Sequence, residues 1–129
     1  MKIKNINDFL PKKNKLGNIK VEYDGHKFDS KREAQRYAEL KLLQKSGQIS
    51  DLQTQVKFQL IPSQRDANGK VVERAVCYIA DFVYFDRRTS ETVAEDVKGY
   101  RDPSSAVYKV FAIKRKMMLF FHGITVREV

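Results

Sequence analysis

Apolar and polar positions change rhythm several times along this chain, and each rhythm marks an element. From Gln53 to Ile61 they alternate, with Val56, Phe58 and Leu60 on one side and Gln55, Lys57 and Gln59 on the other. That is the period of a half-buried strand. Two β-branched and aromatic runs, Y-I-A-D-F-V-Y-F-D from Tyr78 and T-V-A-E-D-V-K-G-Y from Thr92, flank Arg87-Arg88-Thr89-Ser90. They predict two strands joined by a tight connection. Asp66-Ala67-Asn68-Gly69 makes a turn into Val71–Phe85, read as one long or bulged strand, and Thr92–Lys98 completes a three-strand meander. Upstream, Val21-Glu22-Tyr23 and His26-Lys27-Phe28 flank the hairpin turn signal Asp24-Gly25.

Elsewhere the period lengthens to that of a helix. Ser30 and Glu33 form an S-x-x-E capping box at the start of a helix expected to reach Lys45 or Ser46 and stop at Gly47. At about 100° per residue, Glu33, Ala34, Tyr37 and Leu40 fall on the side that packs on the sheet, while Glu39 falls on the solvent side. Asp102-Pro103-Ser104 predicts a second helix start, with Asp102 as N-cap and an end at Gly123. Its expected apolar stripe is Val107, Val110, Phe111, Met117, Met118 and Phe121, with Lys114 in its middle. Ile124–Val129 gives a closing strand. The elements predict an α/β (α+β) domain: a central mixed sheet of three-strand meander plus C-terminal strand, flanked by two helices, with an N-terminal hairpin. Residues 17–129 form this domain and residues 1–16 a basic N-terminal arm, rich in lysine and interrupted by Pro11.

Acidic residues interrupt the least polar strands, where a bare charge is costly unless paired or bound to a cation. On the third meander strand Asp96 and Lys98 share one face and Glu95 and Val97 the other, with Asp81 available from the neighbouring strand. Two carboxylates and an ammonium gathered there can bind a divalent metal and activate water. The plainer reading is a surface ion pair between Asp96 and Lys98. Glu33 has two candidate jobs, helix cap or active-site carboxylate, and Lys31, Arg32 and Arg36 around it can hold phosphates. Lys114 is either a snorkelling lysine or one directed at a phosphate.

Composition narrows the class of partner. Of 129 residues, 25 are Lys or Arg and 16 Asp or Glu, a net charge of +9, which points to a polyanion such as nucleic acid. No apolar run approaches the length of a membrane span, and the N-terminus has no signal-peptide-like segment, so a cytoplasmic protein is expected. Cys77 is the only cysteine, and with two histidines at no ligand spacing from it zinc is not expected. No glycine spacing of a phosphate loop occurs, so no nucleotide cofactor is expected.

Glu33 on the first helix, Asp81 on the second meander strand and Asp96-x-Lys98 on the third resemble the PD-(D/E)XK nuclease superfamily. More narrowly, V-E-Y-D-G-H-K-F-D-S-K-R-E-A, Y-I-A-D-F-V-Y and E-D-V-K-G resemble a family of small phage-encoded proteins assigned to it, similar to Holliday junction resolvases. One departure is Ala80, where the motif has proline before Asp81. The resemblance implies a restriction-endonuclease-like core and a metal-dependent endonuclease acting on branched or recombination-intermediate DNA, as a homodimer in a bacterial host cytoplasm. It implies Mg²⁺ or Mn²⁺ held by Asp81, Asp96, the Val97 carbonyl and Glu33, with Lys98 orienting the attacking water. Gln55 falls where related nucleases often carry a polar residue facing the site, and Arg101, Lys109 and Lys114 join Lys31, Arg32, Arg36 and Gln55 as expected nucleic-acid contacts. A non-catalytic nucleic-acid-binding module with this fold, or an RNA-processing nuclease, stays open beside it.

Overall fold

The computed structural model describes residues 12–13, 19–99 and 101–129. The expected arm therefore lies outside the described residues, apart from a two-residue strand β1 (Lys12–Lys13) that pairs antiparallel with β2 (Ile19–Tyr23). β2 pairs in turn with β3 (His26–Phe28) through the Asp24-Gly25 turn, both of whose residues have positive φ. Helix α1 (Lys31–Lys45) follows, with Ser30 as N-cap accepting from the Glu33 N–H at 3.1 Å. Glu33, Ala34, Tyr37 and Leu40 form its buried face, as the helical period requires.

The central sheet is mixed, in the order β4 (Ile49–Ile61), β7 (Val76–Asp86), β8 (Glu91–Asp96), β9 (Thr125–Glu128). The first three strands run antiparallel and β9 lies parallel to β8. The run expected as one strand from Val71 to Phe85 is broken. β6 (Val71–Glu73) pairs only with β5 (Gln64–Arg65) in a small outlying hairpin, and β7 begins afresh at Val76 to pair with β4. The Asp66 turn closes this hairpin, its carboxylate accepting from the N–H groups of Asn68 and Lys70.

The second helix, α2 (Ala106–His122), starts later than expected. Ser105, not Asp102, is its N-cap, accepting from the Tyr108 N–H at 3.1 Å. Asp102 instead closes the preceding turn on Ser104, whose N–H and hydroxyl both donate to it. Gly123 ends the helix at φ 66°, the left-handed conformation that glycine adopts without steric cost.

Each sheet face carries its own core. On one, α1 and the β2–β3 hairpin cover Phe82, Tyr84 and Val93; on the other, Phe111 and Met118 of α2 cover Tyr78, Ala80, Val83, Ala94 and Val126. The layers are thus helix and hairpin, sheet, helix. Among the described residues no helix is long and apolar enough to cross a membrane.

Candidate active site

Asp81 sits where β7 changes sides. Tyr78 and Ala80 belong to the α2-side core, Phe82 and Tyr84 to the α1-side core. Two residues apart in a regular strand, Ala80 and Phe82 would share a face, so the strand turns over at the residue between them. β4 is disturbed at the same level. Val56 pairs with Ala80 and Thr54 with Phe82, which places Gln55 opposite Asp81, and Gln55 has a φ of 52°. A left-handed backbone at a non-glycine residue inside a strand is strained.

The turnover lets Asp81 connect the two layers. One of its oxygens accepts from the Val97 N–H at 2.8 Å and the other from Gln55 Nε2 at 3.3 Å. The same Gln55 amide donates to Glu33 at 2.9 Å. Val97 is the spacer between Asp96 and Lys98, so one hydrogen-bonded path joins helix α1, three strand segments and the D-x-K residues.

Asp96 and Lys98 form the α2-side part. Lys98 Nζ lies 3.0 Å from Asp96 Oδ1 and 3.9 Å from the centroid of the Phe111 ring, while the Tyr78 hydroxyl donates to Asp96 Oδ2 at 2.7 Å. Lys98 falls just past the end of β8, but the ladder carries on to hold it: its N–H donates to the Val129 carbonyl at 2.8 Å. The ammonium is therefore positioned by a carboxylate, an aromatic face and its own backbone.

Electrostatics reflect this crowding of acids. Burial, then the Asp81 carboxylate, push Glu33 up to about 7, although the Asp29 backbone N–H and Gln55 pull the other way. Burial also raises Asp81, and the charge of Asp96 adds to the rise against the Val97 N–H, Gln55 and Lys98. Tyr78 is held above the usual phenol range by burial and by its hydrogen bond to Asp96. Glu33 is not confined to capping, because its carboxylate accepts from Gln55 and faces Asp81.

Glu95 projects to the opposite face, as strand alternation requires. It is fully buried and takes a two-pronged contact from Arg36, Nε at 2.7 Å and Nη2 at 2.6 Å, while the Tyr84 hydroxyl donates to it. Arg36, expected as a phosphate contact, has its guanidinium engaged by Glu95, and by Glu39 at 2.8 Å. Arg101 is likewise engaged, by Glu128 at 3.3 Å. Lys31, Arg32 and Lys109 are exposed. Arg32 lines a groove of about 250 Å³ beside Val97, shared with Gln35, Arg36, Glu39 and Val129. Lys114 is half-buried on α2. Tyr78, Phe111, Tyr84 and Glu95 are the members that sequence reasoning did not assign to the site. Their aromatic and strand-core character signalled only burial.

Among the described residues no three His, Cys, Asp or Glu side chains form a ready-made metal cage. The donor chemistry nevertheless fits a hard divalent cation, which prefers oxygen ligands. One donor group already bridges Glu33 and Asp81, a role that a cation between two carboxylates also fills. Each oxygen of Asp96 has one partner, leaving acceptor capacity on both.

No curated protein and no solved structure matches the chain. A family described as a protein of unknown function (DUF1064) matches residues 13–124, nearly the whole of the chain, which therefore belongs to that family.

Proposed function

We propose that this protein is a metal-dependent endodeoxyribonuclease that hydrolyses phosphodiester bonds in branched DNA, in the cytoplasm of a bacterial host. The observation that carries the reading is the seam itself. Carboxylates from a helix and two strands are joined through Gln55 and the Val97 N–H, next to a lysine held by Asp96 and Phe111. Burying like charges together costs stability unless a cation or proton relieves them, and such departures from folding rules concentrate at functional sites.

Asp81, Asp96 and Glu33 would hold Mg²⁺ or Mn²⁺, with the Val97 carbonyl as a further oxygen donor. A cation bound there lowers the pKa of a water and offsets the charge that develops on the phosphate during in-line attack. Lys98 orients the attacking water and stabilises that charge from the side. Gln55, whose amide bridges Glu33 and Asp81, would keep the two acids together for the cation. Tyr78 fixes Asp96 from below, and the Arg36–Glu95 pair fixes α1 against β8, which sets the position of Glu33 relative to Asp81. No covalent nucleophile is required. The net charge of +9 supplies attraction to a polyanion, with the exposed Lys31 and, at the groove, Arg32 as phosphate contacts.

The test is cleavage of labelled four-way junction, linear duplex and RNA in Mg²⁺, Mn²⁺ or EDTA. The expected result is metal-dependent cutting of the junction, abolished by Asp96→Asn and slowed about 10²–10⁴-fold by Lys98→Ala, the typical worth of a positioned acid–base group. Wild-type-like cleavage by either variant removes the active site from this strand. Substrate left uncut in every condition leaves a binding module instead, and cutting confined to RNA replaces the substrate.

A further inference from the structure

The last strand brings a further carboxylate beside the D-x-K residues. Glu128 of β9 is the register partner of Asp96 on β8. Partners on parallel strands share a face, so Glu128 lies next to Asp96 on the α2 side of the sheet. Its side chain is only 16% exposed and is held by three groups. The Tyr108 hydroxyl lies 3.0 and 3.2 Å from its two oxygens, Arg101 Nη1 3.3 Å from Oε1 and Arg115 Nη1 3.3 Å from Oε2. Tyr108 and Arg115 stand three residues before and four residues after Phe111, on the same side of α2. Both lie against the Phe111 ring, Tyr108 with ring centroids 5.7 Å apart and the Arg115 guanidinium 6.0 Å from the centroid. That ring is the one over which the Lys98 ammonium sits at 3.9 Å.

We infer that Glu128 is a positioning residue for Lys98. Through Tyr108 and Arg115 it ties the turns of α2 on either side of Phe111 to β9, and so fixes the ring that seats the ammonium. Through Arg101 it ties down the chain three residues past the lysine. The backbone of the same strand end completes the hold, since the Lys98 N–H donates to the Val129 carbonyl and the Val129 N–H to the Asp96 carbonyl. A carboxylate beside Asp96 would otherwise compete for the ammonium. Each oxygen of Glu128 already meets a guanidinium, which leaves Lys98 to Asp96. Packing alone does not call for such a cluster, because apolar side chains of similar volume hold a helix to a sheet as well or better. Two guanidiniums gathered on one carboxylate instead keep a third cation at a set place. Place matters for a group that acts by orientation, since a small misplacement costs rate even where binding is kept. The inference rests on the cleavage reading for what Lys98 does, and on these contacts alone for where it is held.

Carbon–proton correlation spectra of the full chain in EDTA, with lysines labelled at the ε carbon, test it. The Lys98 signal is the one missing from Lys98→Arg. Protons over an aromatic face are shielded, so in wild type this signal should lie upfield of the other lysines. Glu128→Gln keeps the shape and an acceptor for Tyr108 but loses the charge that holds both arginines, and should move the signal back toward the others. In Phe111→Leu it should lie among them, and adding Glu128→Gln should change nothing further. Tyr108→Phe, which removes one hydroxyl, gives a second reading of the same kind should Glu128→Gln fail to fold. In cleavage assays Glu128→Gln should lower kcat about tenfold with KM unchanged, a part of what a positioned acid–base group is worth. Its effect should not add to that of Phe111→Leu, as expected of residues acting through one contact. A Lys98 signal that stays at its wild-type position in both Glu128→Gln and Tyr108→Phe overturns the inference. Losses in kcat that add in full overturn it too, as does a rise in KM with kcat kept, which would make Glu128 a support for DNA contacts. A wild type that cuts nothing fails the cleavage reading instead, and the Lys98 signal then decides alone whether Glu128 positions the lysine.

Discussion

Glu33 offers the sharpest test of the seam because its charge is costly to the fold. An ordinary glutamate loses its proton near 4.5, whereas in the folded chain burial and the neighbouring Asp81 hold Glu33 to about 7. Between those values the folded chain binds more protons than the unfolded one, so stability falls as pH rises from about 4.5 to about 7 and is level above. The full difference is about 3 kcal/mol at ~1.4 kcal/mol per pH unit. Partial access of solvent to this first-turn residue reduces it to about 2 kcal/mol. Glu33→Gln removes the ionisation while keeping an oxygen that accepts from Gln55. In EDTA the variant should therefore be about 2 kcal/mol more stable than wild type near pH 8, with the advantage fading toward pH 4.5. Urea denaturation followed by circular dichroism across this range measures it, provided the m-value is unchanged. With Mg²⁺ the order should shift back, since wild type gains stability from the ligand and the variant has lost a binding carboxylate. A wild-type pH slope retained in Glu33→Gln, or a variant less stable than wild type near pH 8, would refute the account of Glu33 as a desolvated acid in the seam.

Four further outcomes follow from the same geometry. Mg²⁺ affinity measured by calorimetry should rise with pH up to about 7 and then level, because the cation must displace the proton held by Glu33; a flat profile counts against Glu33 as a ligand. Gln55→Gly should be about 1 kcal/mol more stable than Gln55→Ala by chemical denaturation, since both lose the amide bridge but only glycine relieves the positive φ. Arg36→Ala strands the fully buried Glu95 and should cost about 3–5 kcal/mol; a loss under 1 kcal/mol would show that the pair does not hold α1 to the sheet. DNA affinity should drop steeply between low and moderate salt, and salt-independent binding would argue against phosphate-driven recognition.

The pattern of the chain alone determines most of its elements, because their causes are local. Ser30 caps α1 wherever that helix packs, Gly123 ends α2 because glycine adopts the left-handed conformation freely, and a 3.6-residue period decides that Glu33, Tyr37 and Leu40 share a face. Strand alternation likewise separates Asp96 and Lys98 from Glu95 before any contact is known. Alternation also misleads at one place. It assumes an uninterrupted pleat, so it extends the second meander strand back to Val71. Tertiary pairing decides otherwise. β7 has to match β4, which breaks the run before Val76 and turns the strand over at Asp81, with Gln55 taking the backbone distortion opposite. Partners distant in sequence are equally invisible to a local pattern: Arg36 with Glu95, Lys98 over Phe111, and the inward choice of Phe111 and Met118 over Val107 and Phe121. A helix stripe shows that a face is apolar. Only the sheet packed beneath it decides which part of that face is buried and which part stays exposed.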